Sequence, residues 1–230
     1  MEPLSNIELY YSPPSLINKK EIILVDEEFH HCVHVMRNSV GDILFVTDGE
    51  GNLYESVIFK TTKNKLFSEI KTQSKFKNRA EDIWFCIPTL KNPDRLKFAF
   101  EKSVELGITN FILFTSKRSV TKNLKPEKFQ KTAFAAMKQS IRTFLPKIKS
   151  ATFDEIIELK STKILLDQKA DKKFDGKIKI NDPVYFLFGP EGGFDEEEIN
   201  KVELFNSFAL SSNRLRSETA IIKCASLLNL

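Results

Sequence analysis

The side chains best suited to chemistry fall in two stretches, Val184-Tyr-Phe-Leu-Phe-Gly-Pro-Glu-Gly-Gly-Phe194 and Ser212-Asn-Arg-Leu-Arg-Ser-Glu-Thr-Ala220. Gly189, Gly192 and Gly193 are three of only eight glycines in 230 residues, and their crowding marks backbone that a side chain would obstruct. Glu191, the carboxylate inside this turn, can act as a base, orient a ligand or simply accept neighbouring backbone N–H groups. Arg216 offers a guanidinium for a phosphate or for negative charge developing in a reaction, with pairing to Glu218 or Glu191 as its plainer use.

The elements that must position these residues follow from pattern. Val184 to Phe188 is an unbroken apolar run, as a strand covered on both faces requires. Asp195 predicts a helix start, with Glu198 completing a D-x-x-E capping box. Strand, glycine turn and helix N-terminus in this order form a cradle for a nucleotide-like ligand. A P-loop would need Lys and then Ser or Thr after the last glycine, where this chain has Phe194-Asp195. A Rossmann fingerprint would open its domain, whereas this turn lies late in the chain.

A hydrophobic share of 41% with 29% charged residues excludes a disordered chain. No apolar run reaches the length of a membrane span, and Met1-Glu-Pro-Leu4 lacks the regions of a signal peptide, so a cytoplasmic location is expected. Cys32, Cys86 and Cys224 lie far apart without C-x-x-C spacing, which favours buried thiols over a disulfide framework or a zinc site. A net charge of +4 does not by itself imply nucleic acid. Its distribution says more: Lys60, Lys63, Lys65, Lys71, Lys75, Lys77 and Arg79 are opposed in that stretch only by Glu69, which suits either phosphate contacts or a lysine-protected edge strand.

Residues 1–75 read as β-rich. Strands are expected at Glu21–Val25, Asp42–Thr47, Leu53–Phe59 and Leu66–Ile70, separated by turn chemistry at Asp48-Gly-Glu-Gly-Asn52 and Thr61-Thr-Lys-Asn64. A helix from Glu27 to Arg37, capped by Asp26, would turn Phe29, Val33 and Met36 inward. His30 and His34 share its face at i, i+4, but no third ligand is near, so no metal is expected. Residues 76–230 alternate strands with helices, as an α/β domain with a mostly parallel sheet does. Strands are expected at Ile83–Ile87, Asn110–Thr115, Lys163–Leu166, Val184–Phe188 and Ser207–Ser211. Helices run from Pro93 or Asp94 to Gly107, from Pro126 to about Phe144, after the Thr152-x-x-Glu155 box, over Glu196–Leu204 and from Ser217 onward. The strand ends at Leu166-Asp167, Gly189–Gly193 and Ser211–Arg216 can line one pocket.

Gly189-Pro-Glu-Gly-Gly-Phe194 followed by Leu215-Arg-Ser-Glu-Thr-Ala220 resembles the paired signature of the RsmE-type ribosomal RNA uracil-N3 methyltransferases of the SPOUT superfamily. Arg95, Glu105-Leu-Gly107, Lys117-Arg-Ser-Val120, Gln139-Ser-Ile-Arg142 before Pro146, and His34-Val-Met-Arg37 with Gly41-Asp42 also occur in that family's order. The resemblance implies a SPOUT-type α/β domain at 76–230, a trefoil-knotted, mostly parallel sheet, preceded by a small PUA-like RNA-binding β-barrel at 1–75. It implies S-adenosyl-L-methionine as cofactor, held by Leu166, Gly189, Gly193, Leu210, Leu215 and Thr219. It also implies a homodimer acting on the N3 of a uridine in 16S ribosomal RNA of the small ribosomal subunit. Arg216 and Glu191 are then the catalytic candidates, and Arg37, Arg95, Arg118, Gln139 and Arg142 the RNA contacts, with Gln139 and Arg142 on one exposed helix face.

Two positions depart from the family pattern: Leu210-Ser211 stands where Leu-Gly is usual, and Arg214 where isoleucine is common. Two other functions compete. One is a catalytically silent RNA-binding or ribosome-assembly protein on the same fold, against which Gly189, Glu191, Gly193, Arg216 and Thr219 all count. The other is a small-nucleotide α/β enzyme, which would leave the basic N-terminal part without a use.

Overall fold

The computed structural model describes residues 7–118, 126–178, 181–202 and 206–230. Met1-Glu-Pro-Leu4, Ser119 and Val120 of the 117–120 motif, and the expected helix end at Leu204 lie outside the described residues. The chain forms two compact units, Met1–Asn78 with Met137–Leu145, and Arg79–Ala136 with Pro146–Leu230. A single boundary near Lys75 does not anticipate the return of 137–145 to the first unit.

The first unit holds strands β1 (Leu9–Tyr11), β2 (Glu21–Val25), β3 (Ile43–Thr47), β4 (Asn52–Thr61) and β5 (Lys65–Lys75) in the order β1-β3-β4-β5-β2. Only β1, which the sequence did not signal, runs parallel to its neighbour. The sheet curls until the Ser12 hydroxyl beside one edge donates to the Ile23 carbonyl on the other at 2.9 Å. Alternation buries Ile22, Leu24, Leu44, Val46, Ile58 and Leu66 against Phe29 and Cys32.

Those last two residues come from helix α1 (Asp26–His30) and the wider π-turn His31–Val35 that continues it. Asp26 is the first helical residue and not the cap, and Val25 at the cap position provides no side-chain bond. Phe29 is buried and Val33 packs on the core, as expected, but Met36 is 46% exposed. The physical reason is the π-turn: the Met36 N–H bonds the His31 carbonyl, five residues back, at 2.9 Å. The extra residue rotates Met36 away from the core.

The second unit is built on an all-parallel sheet of β6 (Ile83–Pro88), β7 (Asn110–Thr115), β8 (Lys147–Thr152), β9 (Thr162–Leu166), β10 (Val184–Phe188) and β11 (Ser207–Phe208). Their order is β11-β9-β10-β6-β7-β8. Its central strands are buried through Phe85, Ile87, Phe111, Leu113, Phe186 and Leu187, as apolar runs covered on both sides should be. Strand β8 escaped the sequence reading because it is an edge with no buried residue, no regular alternation and few apolar side chains. Helix α2 (Pro93–Glu105) starts at Asn92, whose side chain accepts the N–H groups of Asp94 and Arg95. Helix α3 (Glu127–Gln139) stops earlier than expected, because Ile141 adopts a left-handed φ of 55° and the Arg142 N–H returns to the Met137 carbonyl at 2.9 Å. Gln139 and Arg142 therefore do not share a helix face. The short helices α4 (Phe153–Glu158) and α5 (Glu196–Lys201) each carry the predicted capping box, and α6 (Ser217–Leu228) follows β11.

From β6 the chain steps outward through β7 and β8, then crosses to β9 on the far side of β10. This reversal puts the switch point between β10 and β6, whose onward connections run in opposite directions and leave a crevice at the C-terminal ends of the strands.

Candidate active site

Three loops leave the sheet at the ends of β9, β10 and β11, and hydrogen bonds draw them together. The Asp167 N–H donates to the Phe208 carbonyl at 3.1 Å. The Ser217 hydroxyl at the start of α6 donates to the Gly189 carbonyl at 2.9 Å. Between the loops lies a cleft of about 590 Å³, inside the range of roughly 300–1,000 Å³ typical for small-molecule sites. Gly193 has a φ of +70°, and a Cβ there would meet nothing within 4 Å. The glycine turn thus presents bare backbone toward open space, as a close-fitting ligand needs.

The turn is held from behind. The Asp195 carboxylate accepts the Glu198 N–H at 2.8 Å, and the Glu198 carboxylate returns to the Asp195 N–H at 3.0 Å. Glu198, only 2% exposed, also accepts the Lys117 N–H at 2.9 Å. The Lys117 ammonium meets Asp195 at 3.7 Å and contacts Glu197. The Glu198 N–H, with help from the Lys117 and Arg118 charges, keeps the Asp195 carboxyl below its ordinary pKa. Arg118 donates to the Gly192 carbonyl at 3.2 Å. The loop after β7 is therefore tied to the glycine turn by Arg118 and to the cap behind it by Lys117, a role for Arg118 beyond the RNA contact expected of it.

Glu191 is exposed, and its Oε1 accepts the Lys91 N–H at 2.9 Å. Arg95 lies 3.6 Å from the Glu218 carboxylate. Among the described residues Arg216 forms an ion pair with neither acid, so the pairing foreseen as its plainer use does not occur; Arg216 is exposed at the cleft wall beside Arg214.

Of the cofactor candidates, Leu166, Gly189, Gly193, Leu210 and Leu215 line this cleft. So do Glu191, Arg216, Arg95 and Arg118. Thr219 does not: on α6 the wall is made by Ser217, Glu218 and Ala220, and Thr219 is exposed. Arg37, Gln139 and Arg142 belong to the first unit. Arg37 has a left-handed φ of 60°, Gln139 is exposed, and burial lowers the pKa of the half-buried Arg142 guanidinium. Sequence reasoning did not single out Ser217 as the link to Gly189 or Glu198 as the anchor of Lys117. The capping box did mark Glu198, but its second backbone partner lies far away in sequence.

The family described as RNA methyltransferase domain matches residues 77–229. The chain belongs to the RNA methyltransferase family. In this methyltransferase, residues 24–71 further match the family described as RNA methyltransferase PUA domain. It is 27% identical over 214 residues to Ribosomal RNA small subunit methyltransferase E of Rickettsia conorii, covering 89% of this chain and 87% of that protein. The protein of the same name from Bacillus subtilis is 27% identical over 219 residues, covering 86% and 85%. The solved Ribosomal RNA small subunit methyltransferase E from Neisseria gonorrhoeae, bound to S-adenosyl methionine, shares the fold with a TM-score of 0.83 at 24% identity, over 96% of this chain and 95% of that one.

Proposed function

We propose that the chain transfers a methyl group from S-adenosyl-L-methionine to the N3 of a uridine in 16S ribosomal RNA of the small subunit. One observation carries this reading: the two sequence motifs, separated along the chain by α5 and β11, form one cleft, with Ser217 bonded to Gly189 and open space over Gly193. A protein that only bound RNA would have no use for that cleft. The names of the relatives support the substrate class, and the ligand in the Neisseria gonorrhoeae structure supports the cofactor.

The cleft suits that cofactor because it combines bare backbone with aliphatic walls from Leu166, Leu210 and Leu215. Phosphate-binding lysine after the last glycine, needed for a nucleoside triphosphate, is missing from the sequence. Bound there, S-adenosylmethionine supplies an electrophilic methyl group carried on a sulfonium. The chain's own work is to align the acceptor and manage its proton. Uracil N3 carries a proton at neutral pH, which must leave as the new bond forms. Arg216, unpaired with either nearby carboxylate, holds the negative charge that spreads onto the uracil oxygens. Glu191 keeps its Oε1 on the Lys91 N–H, so Oε2 is the atom that takes the N3 proton.

We infer, too, that α6 threads beneath the segment between β9 and β10, giving the trefoil knot. Two observations support this. The Ala209 N–H donates to the Lys172 carbonyl at 2.7 Å, and the Phe174 N–H donates to the Ala209 carbonyl at 2.9 Å. Gly176 lies so close to α6 that a Cβ there would stand 2.1 Å from the Leu227 carbonyl oxygen.

Calorimetry with S-adenosylmethionine, followed by mass mapping of small-subunit rRNA from cells lacking the gene, tests the function. The expected result is saturable binding and loss of one methyluridine that the purified protein restores. Absence of cofactor binding rules the reading out.

A further inference from the structure

The outward face of the first unit's sheet carries a cluster of apolar side chains beside the Glu21–Glu69 pair, where a water-facing antiparallel sheet is normally polar. Burial of Ile22, Leu24, Leu44, Ile58 and Leu66 on the inside turns the intervening Ile23, Ile43, Val57 and Phe67 outward. Register makes them neighbours, with Ile23 opposite Phe67 and Ile43 opposite Val57. Between Ile58 and Lys60 the pairing of β4 with β5 slips. The surplus residue, Phe59, stays 46% exposed with its ring 6.3 Å from that of Phe67. Lys60 Nζ lies 5.5 Å from the centre of the Phe67 ring. Lys63 and Lys65 complete a basic hairpin end, and the nearest acid on β5, Glu69, is engaged with Lys71 at 2.5 Å.

We propose that the end of the β4–β5 hairpin is a stacking platform for an unpaired segment of RNA. Phe59 and Phe67 take the faces of bases, and Lys60, Lys63 and Lys65 take the flanking phosphates. Aromatic faces interleaved with cations are what a single strand requires, since every base offers a π-face and every linkage a negative charge. A second copy of the chain docked on this face would instead bring two sets of lysines together, which costs energy. The proposal rests on the RNA reading above and adds to it the place and the mode of contact.

The test titrates the full chain into a short fluorescein-labelled oligouridine and reads anisotropy over a range of salt. Phe59→Leu combined with Phe67→Leu loses affinity roughly tenfold or more. Lys60→Gln with Lys63→Gln and Lys65→Gln lowers the salt slope by about two. The Phe59→Trp variant, measured against the wild-type chain with its single Trp84, shows emission quenched by the oligonucleotide. Calorimetric binding of S-adenosylmethionine stays unchanged in all of them. Undiminished affinity in the double leucine variant, or an unquenched Phe59→Trp variant, overturns the platform while leaving the RNA reading intact. So does wild-type self-association in sedimentation that the leucine pair abolishes, which assigns the face to a second copy. If the wild-type chain binds no oligonucleotide, the RNA reading and the platform fall together.

Discussion

Gly176 and Gly193 occupy the same unit with similar left-handed backbones, φ +85° and +70°, yet for opposite reasons. At Gly176 an added Cβ would meet the Leu227 carbonyl oxygen at 2.1 Å and its carbonyl carbon at 2.8 Å; at Gly193 it would meet nothing within 4 Å. The first glycine is needed because another piece of chain already fills the space. The second borders a cleft. Identical residue type and conformation therefore say little until the surroundings are known: a filled neighbourhood predicts a stability role and an empty one a binding role.

Substitution should separate the two most sharply at Gly176. Gly176→Ala forces backbone against backbone and should cost about 3 kcal/mol or more, read as a lower urea midpoint, with or without S-adenosylmethionine. A wild-type midpoint would dissolve the contrast. Gly193→Ala should cost only about 1–2 kcal/mol of stability from its backbone conformation. Its methyl group intrudes on the cleft, however, and an overpacking penalty of about 1–3 kcal/mol corresponds to roughly 5- to 150-fold weaker cofactor binding by calorimetry.

Ser217→Ala tests whether the cleft needs its loops tied. Losing the bond to the Gly189 carbonyl should weaken cofactor binding by about 1 kcal/mol, roughly fivefold, with the melting temperature nearly unchanged. The support behind the turn has a pH signature. Because the folded Asp195 carboxyl is depressed, its contribution is present above the ordinary carboxylate pKa and is lost as pH falls through the lowered value. Urea midpoints of Asp195→Asn should therefore fall less steeply than those of wild type along the acid limb.

Arg37 extends the comparison to a left-handed position filled by a residue other than glycine, at the helix end where glycine is favoured. Arg37→Gly should be more stable than Arg37→Ala by about 1 kcal/mol in chemical denaturation. Equal stability of the two variants would mean that the conformation carries no strain.

Much of the second unit was legible from local letters. The apolar run of β10, both capping boxes and the start of α2 depend on residues adjacent in sequence, and the structure has them where the pattern put them. The convergence of three loops was legible as a possibility because parallel strands send their C-terminal ends the same way. What stayed hidden depends on distant partners. Strand β1 is defined by pairing with β3, β8 by its place at an edge, and the Glu198 link to Lys117 by a tertiary contact. The misplaced Met36 and the early end of α3 have a third cause. A π-turn and a left-handed Ile141 both break the helical period, and neither carries a glycine or proline to announce it.

The wide turn at His31–Val35 also bears on what lengths of chain this unit can accept. It contains one residue more than a regular helix of that height would use. Excising a single residue there is a deletion the backbone can absorb, since a five-residue bond becomes a four-residue one. The loss would surface downstream, where Arg37 would swing around the axis by about 100°; a frame of one residue, and not the chemistry of any side chain, decides which way that arginine points.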